Sequence, residues 1–269
     1  MKRVAIALLA GVAAVAGLGY SASAADLGVA PAPPPAPLPS WTGFYIGVHA
    51  GAAWQSTSSW SFFDPNFFGL PGQNNAGGTA LGGVGGFQAG YNWQFAPAWV
   101  AGVEGDISWA SLSDHRTTGP LTSLIGVILP GSTVQMSANT QWLSSVRGKL
   151  GFVGWWNTMF YATGGVAWAN TEYAAQATIP AGAGGAPTTF TAVNSFNQTN
   201  TGWVIGGGAE WQATTNILLR AEYLYYNINS GPTTQATYAP VNAALLVPVN
   251  FGWSNYNVQV FRVAGSYKF

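Results

Sequence analysis

The sequence is nearly devoid of charge and has no cysteine. Only 6% of its 269 residues are Asp, Glu, Lys or Arg, against roughly 25% in an ordinary soluble domain. A soluble surface cannot be covered with so little charge without inviting self-association. The absence of Cys excludes a disulfide framework, a thiolate metal site and a lipid-modified cysteine anchor. After residue 25 no stretch reaches the ~18 consecutive apolar residues of a membrane helix. The only two histidines, His49 and His115, lie far apart and make a poor metal site. No phosphate loop, dinucleotide fingerprint or zinc-ligand spacing is present, so no cofactor or metal is expected. Aromatics, by contrast, are abundant at 14%, with thirteen Trp, and Gly numbers 36. Low charge, many aromatics and no long apolar run together fit a membrane β-barrel, in which half of each strand can be polar.

The first residues read as a secretory signal. Lys2 and Arg3 form a basic start, Val4 to Leu18 is apolar, and Ala22-Ser23-Ala24 is an A-x-A cleavage site, which assigns residues 1–24 to the signal. Removing it leaves six basic and eight acidic residues, a net −2, which excludes a basic nucleic-acid surface. Residues 25–40 are a Pro/Ala linker. Proline cannot donate to a ladder, so this piece is expected to be extended on the periplasmic side, as a spacer or tether.

Residues 41–269 contain eight segments of about ten residues with two-residue alternation, the signature of outer-membrane strands. They are Trp41–Gln55, Leu81–Gln94, Trp99–Trp109, Thr140–Phe152, Thr158–Asn170, Thr201–Gln212, Asn216–Asn227 and Asn255–Phe269. In the first, Phe44, Ile46 and Val48 share a face, with Tyr45, Gly47 and His49 opposite. In the last, Phe261, Val263, Gly265, Tyr267 and Phe269 oppose Val260, Arg262, Ala264, Ser266 and Lys268. The fifth is ambiguous: an outward Phe160 and Trp168 would turn Tyr161 inward. Connections alternate between short (95–98, 153–157, 213–215) and long (near 56–80, 110–139, 171–200 and 228–254). The expectation is an all-β, eight-stranded antiparallel up-and-down transmembrane barrel with short periplasmic turns and four long extracellular loops.

Two residue classes check this layout. Six tryptophans (Trp41, Trp93, Trp99, Trp155, Trp156 and Trp211) fall at the periplasmic rim. Six more (Trp54, Trp109, Trp142, Trp168, Trp203 and Trp253) fall at the outer rim, leaving Trp60 in the first loop. The strand charges Glu104, Asp106, Arg147, Lys149, Glu210, Arg220, Glu222 and Arg262, with Lys268, all lie opposite the apolar set. A charge at the lipid midplane costs about 2–4 kcal/mol for Arg or Lys, so these are expected to form a structural cluster in the lumen. Glu104, Glu210 and Glu222 are the candidate partners of Arg262, and strand 8 is expected to close on strand 1 at Phe44–Trp54.

Several motifs add a resemblance. W-T-G-F-Y-I-G at Trp41–Gly47, G-x-E-x-D-x-x-W at Gly102–Trp109, V-R-G-K-L-G-F at Val146–Phe152 and Y-A-T-G-G-V-A-W at Tyr161–Trp168 occur in order. R-A-E-Y-x-Y at Arg220–Tyr225 and a Y-K-F ending follow. The chain resembles the small eight-stranded outer-membrane proteins of alphaproteobacteria, the opacity-protein and OmpA-like β-barrel superfamily, whose members often carry a porin label. The resemblance implies location in the cell outer membrane among its lipid and lipopolysaccharide. It also implies insertion by the barrel-assembly machinery, which reads a C-terminal strand ending in Phe269.

Three functions are open to such a chain. An eight-stranded barrel is wide enough only for side chains or one small ligand, which favours a structural and surface-interaction role with a possible ligand held by the loops. The loops are rich in Gly, Asn, Ser and Thr, a composition that also suits mobile solvated segments. Inward glycines leave space for a narrow channel, though glycine equally serves twist and close approach. A lipid-modifying enzyme needs a nucleophile and base in reach of each other; His49 faces the lumen and His115 sits in the second loop, and no catalytic residue is assigned.

Overall fold

The computed structural model describes residues 40–57, 59–64, 70–76, 79–122, 128–183, 186, 188–239 and 248–269. The expected signal segment and residues 25–39 of the expected linker lie outside them. Eight antiparallel strands close into a barrel: β1 Gly43–Thr57, β2 Thr79–Ala96, β3 Trp99–Thr118, β4 Thr133–Val153, β5 Thr158–Ile179, β6 Phe190–Gln212, β7 Ile217–Ile228 and β8 Tyr256–Lys268. Each strand lies beside its sequence neighbours, and β1 closes on β8 from Tyr45↔Lys268 to Thr57↔Tyr256. Closure removes both edges in the lipid, where an unpaired backbone group would be costly.

The expected faces hold through the membrane segment. Phe44, Ile46, Val48, Phe87, Val103, Val146, Ile205 and Val263 are all exposed on the outer surface, where lipid covers them. Tyr161 does turn inward and is buried. The tryptophan belts are smaller than expected. Trp93, Trp99, Trp155, Trp156 and Trp211 are exposed at the periplasmic rim, and Trp54, Trp109, Trp142, Trp168 and Trp203 are exposed or half-buried at the outer one. Trp41 and Trp253 leave the belts because each is buried in an apolar cluster, one below the lumen and one above it.

Two of the long connections are mostly sheet. Strands β3 to β6 run 20, 21, 22 and 23 residues, whereas about 9–11 suffice to cross a bilayer. Above the outer belt their pattern inverts. On β5, Phe160 and Val166 point out to lipid, but Tyr173, Ala175, Ala177 and Ile179 point in and are buried. The solvent outside is now water, so the apolar face must turn to the axis. The loops that flank the seam complete this outer layer. Residues 59–64 and 70–76 of the first loop join 233–237 and 248–253 of the fourth in one four-stranded sheet, with Phe62↔Phe251 and Trp60↔Trp253 paired across it. Its inner face and the raised walls enclose an apolar cap core containing Trp60, Phe62, Tyr173, Phe190, Phe251 and Trp253.

Candidate functional site: the charged lumen and its two closures

The lumen cluster is set by strand register. Glu104 lies directly opposite Arg147 on the next strand, Glu210 opposite Arg220, and Glu222 opposite Arg262. Opposed unlike charges on one face attract, and here they meet where water is excluded. Arg147 Nη2 contacts Glu104 Oε1 at 2.5 Å and Asp106 Oδ2 at 3.0 Å, while its Nη1 donates to Glu222 Oε1 at 2.9 Å. Arg220 joins Glu104 Oε2 and Glu210 Oε2, both at 2.6 Å. Arg262 joins Glu222 Oε2 at 2.7 Å and Asp106 Oδ1 at 3.3 Å, with Glu104 at 3.6 Å. Lys149 Nζ lies 3.3 Å from Glu210 Oε2. All eight are buried.

Arg262 thus finds Glu222 and Glu104 as expected, but Asp106 in place of Glu210, because Glu210 is taken by Arg220 and Lys149. Lys268 stands apart. It is buried at the periplasmic end, where its ammonium donates to the Ser40 carbonyl. The cluster therefore holds four carboxylates and four cations, a formal balance. Neutral donors reach three of the four carboxylates: Tyr45 to Glu104 at 2.6 Å, Tyr161 to Glu222 at 2.8 Å and Ser145 to Asp106 at 2.6 Å. Added hydrogen bonds of this kind make buried ion pairs more tolerable, while Glu210 Oε1 and Arg147 Nε have no hydrogen-bond partner. The Lys149 ammonium also sits about 5 Å from the ring centres of both Tyr45 and Tyr161, a favourable cation–π arrangement.

Two of the inward glycines abut the lumen tyrosines. A Cβ on Gly90 would strike the Tyr45 phenol, and one on Gly208 would meet the Ala221 carbonyl and the Tyr161 hydroxyl. The missing side chains make room for the two tyrosines. Further packed layers lie toward both ends. On the periplasmic side Trp41, Val100, Met159 and Leu218 pack with the tyrosines, and the Trp41 backbone N–H donates to Gln94 Oε1 at 3.0 Å. Outward of the charges come Leu112, Leu143, Val204, Leu224 and Val260. Next is a neutral polar layer in which Thr140 bonds Gln55 at 2.7 Å and Thr171 bonds Tyr256 at 2.7 Å. The cap core lies above it. There burial, with the Asp64 carboxylate beside it, holds the Tyr238 phenol well above the usual tyrosine range.

His49 meets a serine that the sequence does not put beside it: its Nε2 is 2.8 Å from Ser108 Oγ, across 59 residues. Arg262 Nη1 lies 3.3 Å from the same nitrogen. Both His49 and Ser108 are 4% exposed, so the pair has the separation of a nucleophile and base but is buried. His115 is exposed on the outer wall, opposite Ser137 of β4 in the strand register. Among the described residues no group of three or more acidic, His or Cys side chains is placed to hold a metal. Phe269 is exposed, and its N–H donates to the Phe44 carbonyl at 2.9 Å, so the terminal residue is held to β1.

Comparison with known proteins matches the family described as outer membrane protein beta-barrel domain over residues 10–269. The chain is 31% identical to the 31 kDa outer-membrane immunogenic protein of Brucella melitensis biotype 1, over 271 residues, covering 97% of this chain and 98% of that protein. The protein of the same description in Brucella suis biovar 1 matches equally. Among solved structures, the attachment invasion locus protein Ail of Yersinia pestis is 13% identical, covering 85% of this chain and 99% of Ail, with a TM-score of 0.37. Neisserial surface protein A is 15% identical, covering 85% of this chain and 98% of that one, with a TM-score of 0.40.

Proposed function

We propose, on the premise that this chain belongs to the outer membrane protein β-barrel domain family and resides in the cell outer membrane, that it is a sealed structural barrel whose ordered outer cap serves as an interaction surface. The lumen supports this reading most directly. Apolar, charged, apolar, neutral polar and apolar layers succeed one another from Trp41 to Trp253. The balanced charge cluster fixes the strands that bound it, and the cap holds outward-facing side chains on a rigid base. Scaffolds of this kind present recognition surfaces. The test is planar-bilayer conductance of the refolded chain. The membrane should stay silent; discrete channel openings would overturn the sealed reading.

A narrow channel for small solutes is the second reading. It is favoured by orphan polar atoms in the lumen, namely both amide atoms of Asn92, Gln88 Oε1 and His49 Nδ1, since such groups are commonly met by water. Buried water at separate sites satisfies them as well as a continuous file does, and the conductance measurement separates the two. For a lipid-modifying activity, the His49–Ser108 pair is buried.

Insertion through the barrel-assembly machinery, with Phe269 as its signal, belongs to the same reading. Removing Phe269 should lower the fraction of chain that shows different gel mobility before and after boiling. An undiminished folded fraction in cells would remove that role.

A further inference from the structure

The outer faces of β3 to β6 change chemistry immediately above the tryptophan belt. The rows there are Asn170–Thr199, then Asn139–Glu172–Asn197, then His115–Ser137–Ala174–Ser195, then Thr117–Gln135–Gln176–Val193, each set directly opposed across the strands. Amides and hydroxyls dominate, and Glu172 is the single carboxylate. Among the described extracellular residues Arg116 is the one cation, and it is already paired with Asp114 at 3.3 Å. In the middle of this wall is a shallow depression. Ala174 and Val193 give it apolar lining, and His115, Gln135, Ser137 and Gln176, with the Asp114-paired Arg116, give it polar lining. Apolar surface among a few hydrogen-bonding groups suits a ring with one C–H face and hydroxyls at its edge.

We propose that this depression and the wall around it hold uncharged sugar residues of the lipopolysaccharide anchored in the same leaflet. The inference rests on the reading of the outer cap as an interaction surface. Position selects the occupant. The wall continues the lipid-facing side of the same strands, so it faces whatever stands upright in the leaflet beside the barrel. Ala174 lies six residues beyond Trp168 on β5, about 20 Å along the strand, beyond the phosphate-bearing base of such a molecule. Charge agrees with position: a wall without free cations is matched to hydroxyls and not to phosphate. A soluble protein partner would have to displace this sugar layer to reach the same face.

The test uses the full refolded barrel, immobilised, and three probes: lipopolysaccharide with its neutral polysaccharide chain, the same lipid trimmed to its innermost sugars, and the free polysaccharide. The untrimmed form should bind at least roughly tenfold more tightly than the trimmed form, and the free polysaccharide should compete. Binding should be insensitive to a tenfold rise in salt, because no charge is screened. Ala174→Trp fills the depression, and the double variant Gln135→Ala/Gln176→Ala removes its amides; each should lose about tenfold. If Ala174→Trp fails to fold, as judged by gel mobility with and without boiling, the double variant decides. Equal binding of trimmed lipid, or steep loss with salt, overturns the proposal, as does wild-type affinity in the double variant or capture only of a protein partner. Channel activity would contradict the sealed barrel while leaving these binding results interpretable.

Discussion

Arg147 on β4 hydrogen-bonds Glu222 on β7 across the lumen, Nη1 to Oε1, at 2.9 Å. The two strands stand three places apart around the ring, so this bond is a cross-brace that backbone ladders cannot supply. Arg147→Glu should lower the thermal unfolding midpoint strongly, by the equivalent of about 3–5 kcal/mol, because it takes one counter-charge from Glu104, Asp106 and Glu222 and buries a fifth carboxylate among them. Glu172→Gln on the outer wall should stay within about 0.5 kcal/mol of the parent. Equal midpoints for Arg147→Glu and the parent would remove the bracing role.

Gly90 and Tyr45 form a matched pair of absent and present side chain. Gly90→Ala should destabilise by about 1–3 kcal/mol through overpacking. Combining it with Tyr45→Ala should give less than the sum of the two single losses, since the clash is then gone. Strict additivity would mean the glycine serves backbone twist alone.

The cap is expected to loosen as a unit. Trp253→Ala removes a large side chain that packs against Tyr173 and Phe196 and should cost the cap about 3–5 kcal/mol locally. Hydrogen-exchange protection at 59–64 and 248–253 should fall together, because these segments pair. Gel mobility of the unboiled barrel should not change, since its own ladders are intact. Loss of protection on only one of the two segments would contradict a shared core.

Much of the barrel was legible because lipid imposes a simple rule on alternate residues, and the closing register at Phe44–Trp54 followed from needing no edge. The cluster was legible as a set but not as a list of partners. Which carboxylate Arg262 reaches depends on side chains crossing the lumen, where Glu104 and Asp106 of β3 both approach it. The raised walls were missed although their signal is present. Thr171, Tyr173, Ala175, Ala177 and Ile179 keep the two-residue period of β5 unbroken, but with the apolar face inward. A search tuned to lipid-facing apolar residues reads that inversion as loss of pattern, and the small alanines weaken it further. Trp41 and Trp253 were misassigned for a related reason: height along a strand is readable from sequence, whereas withdrawal of a ring into a core is not.

Alkali should act on the cap through Tyr238. Its phenol is held above the usual range by burial and then by Asp64, so the neutral form is the one the fold prefers. The resulting stabilisation is fully present below the unfolded value of about 10 and is lost as pH rises past it toward the folded value. Tryptophan fluorescence of the cap should hold steady through neutral pH and change only above about pH 10, with Tyr238→Phe moving that change upward. A transition at neutral pH, or one unaffected by Tyr238→Phe, would contradict this.

The proposal of a sealed lumen is most directly tested by thiol access, which the cysteine-free chain permits without background labelling. Single variants Ser145→Cys beside Asp106 and Ser266→Cys beside Gln88 place thiols in the buried lumen, and Ser113→Cys places one on the exposed outer wall. With the folded protein in vesicles, a small charged thiol reagent should modify Ser113→Cys from outside and leave both lumen positions unmodified from either side. Prompt modification of Ser145→Cys in the folded barrel would show an open aqueous path through the charge cluster.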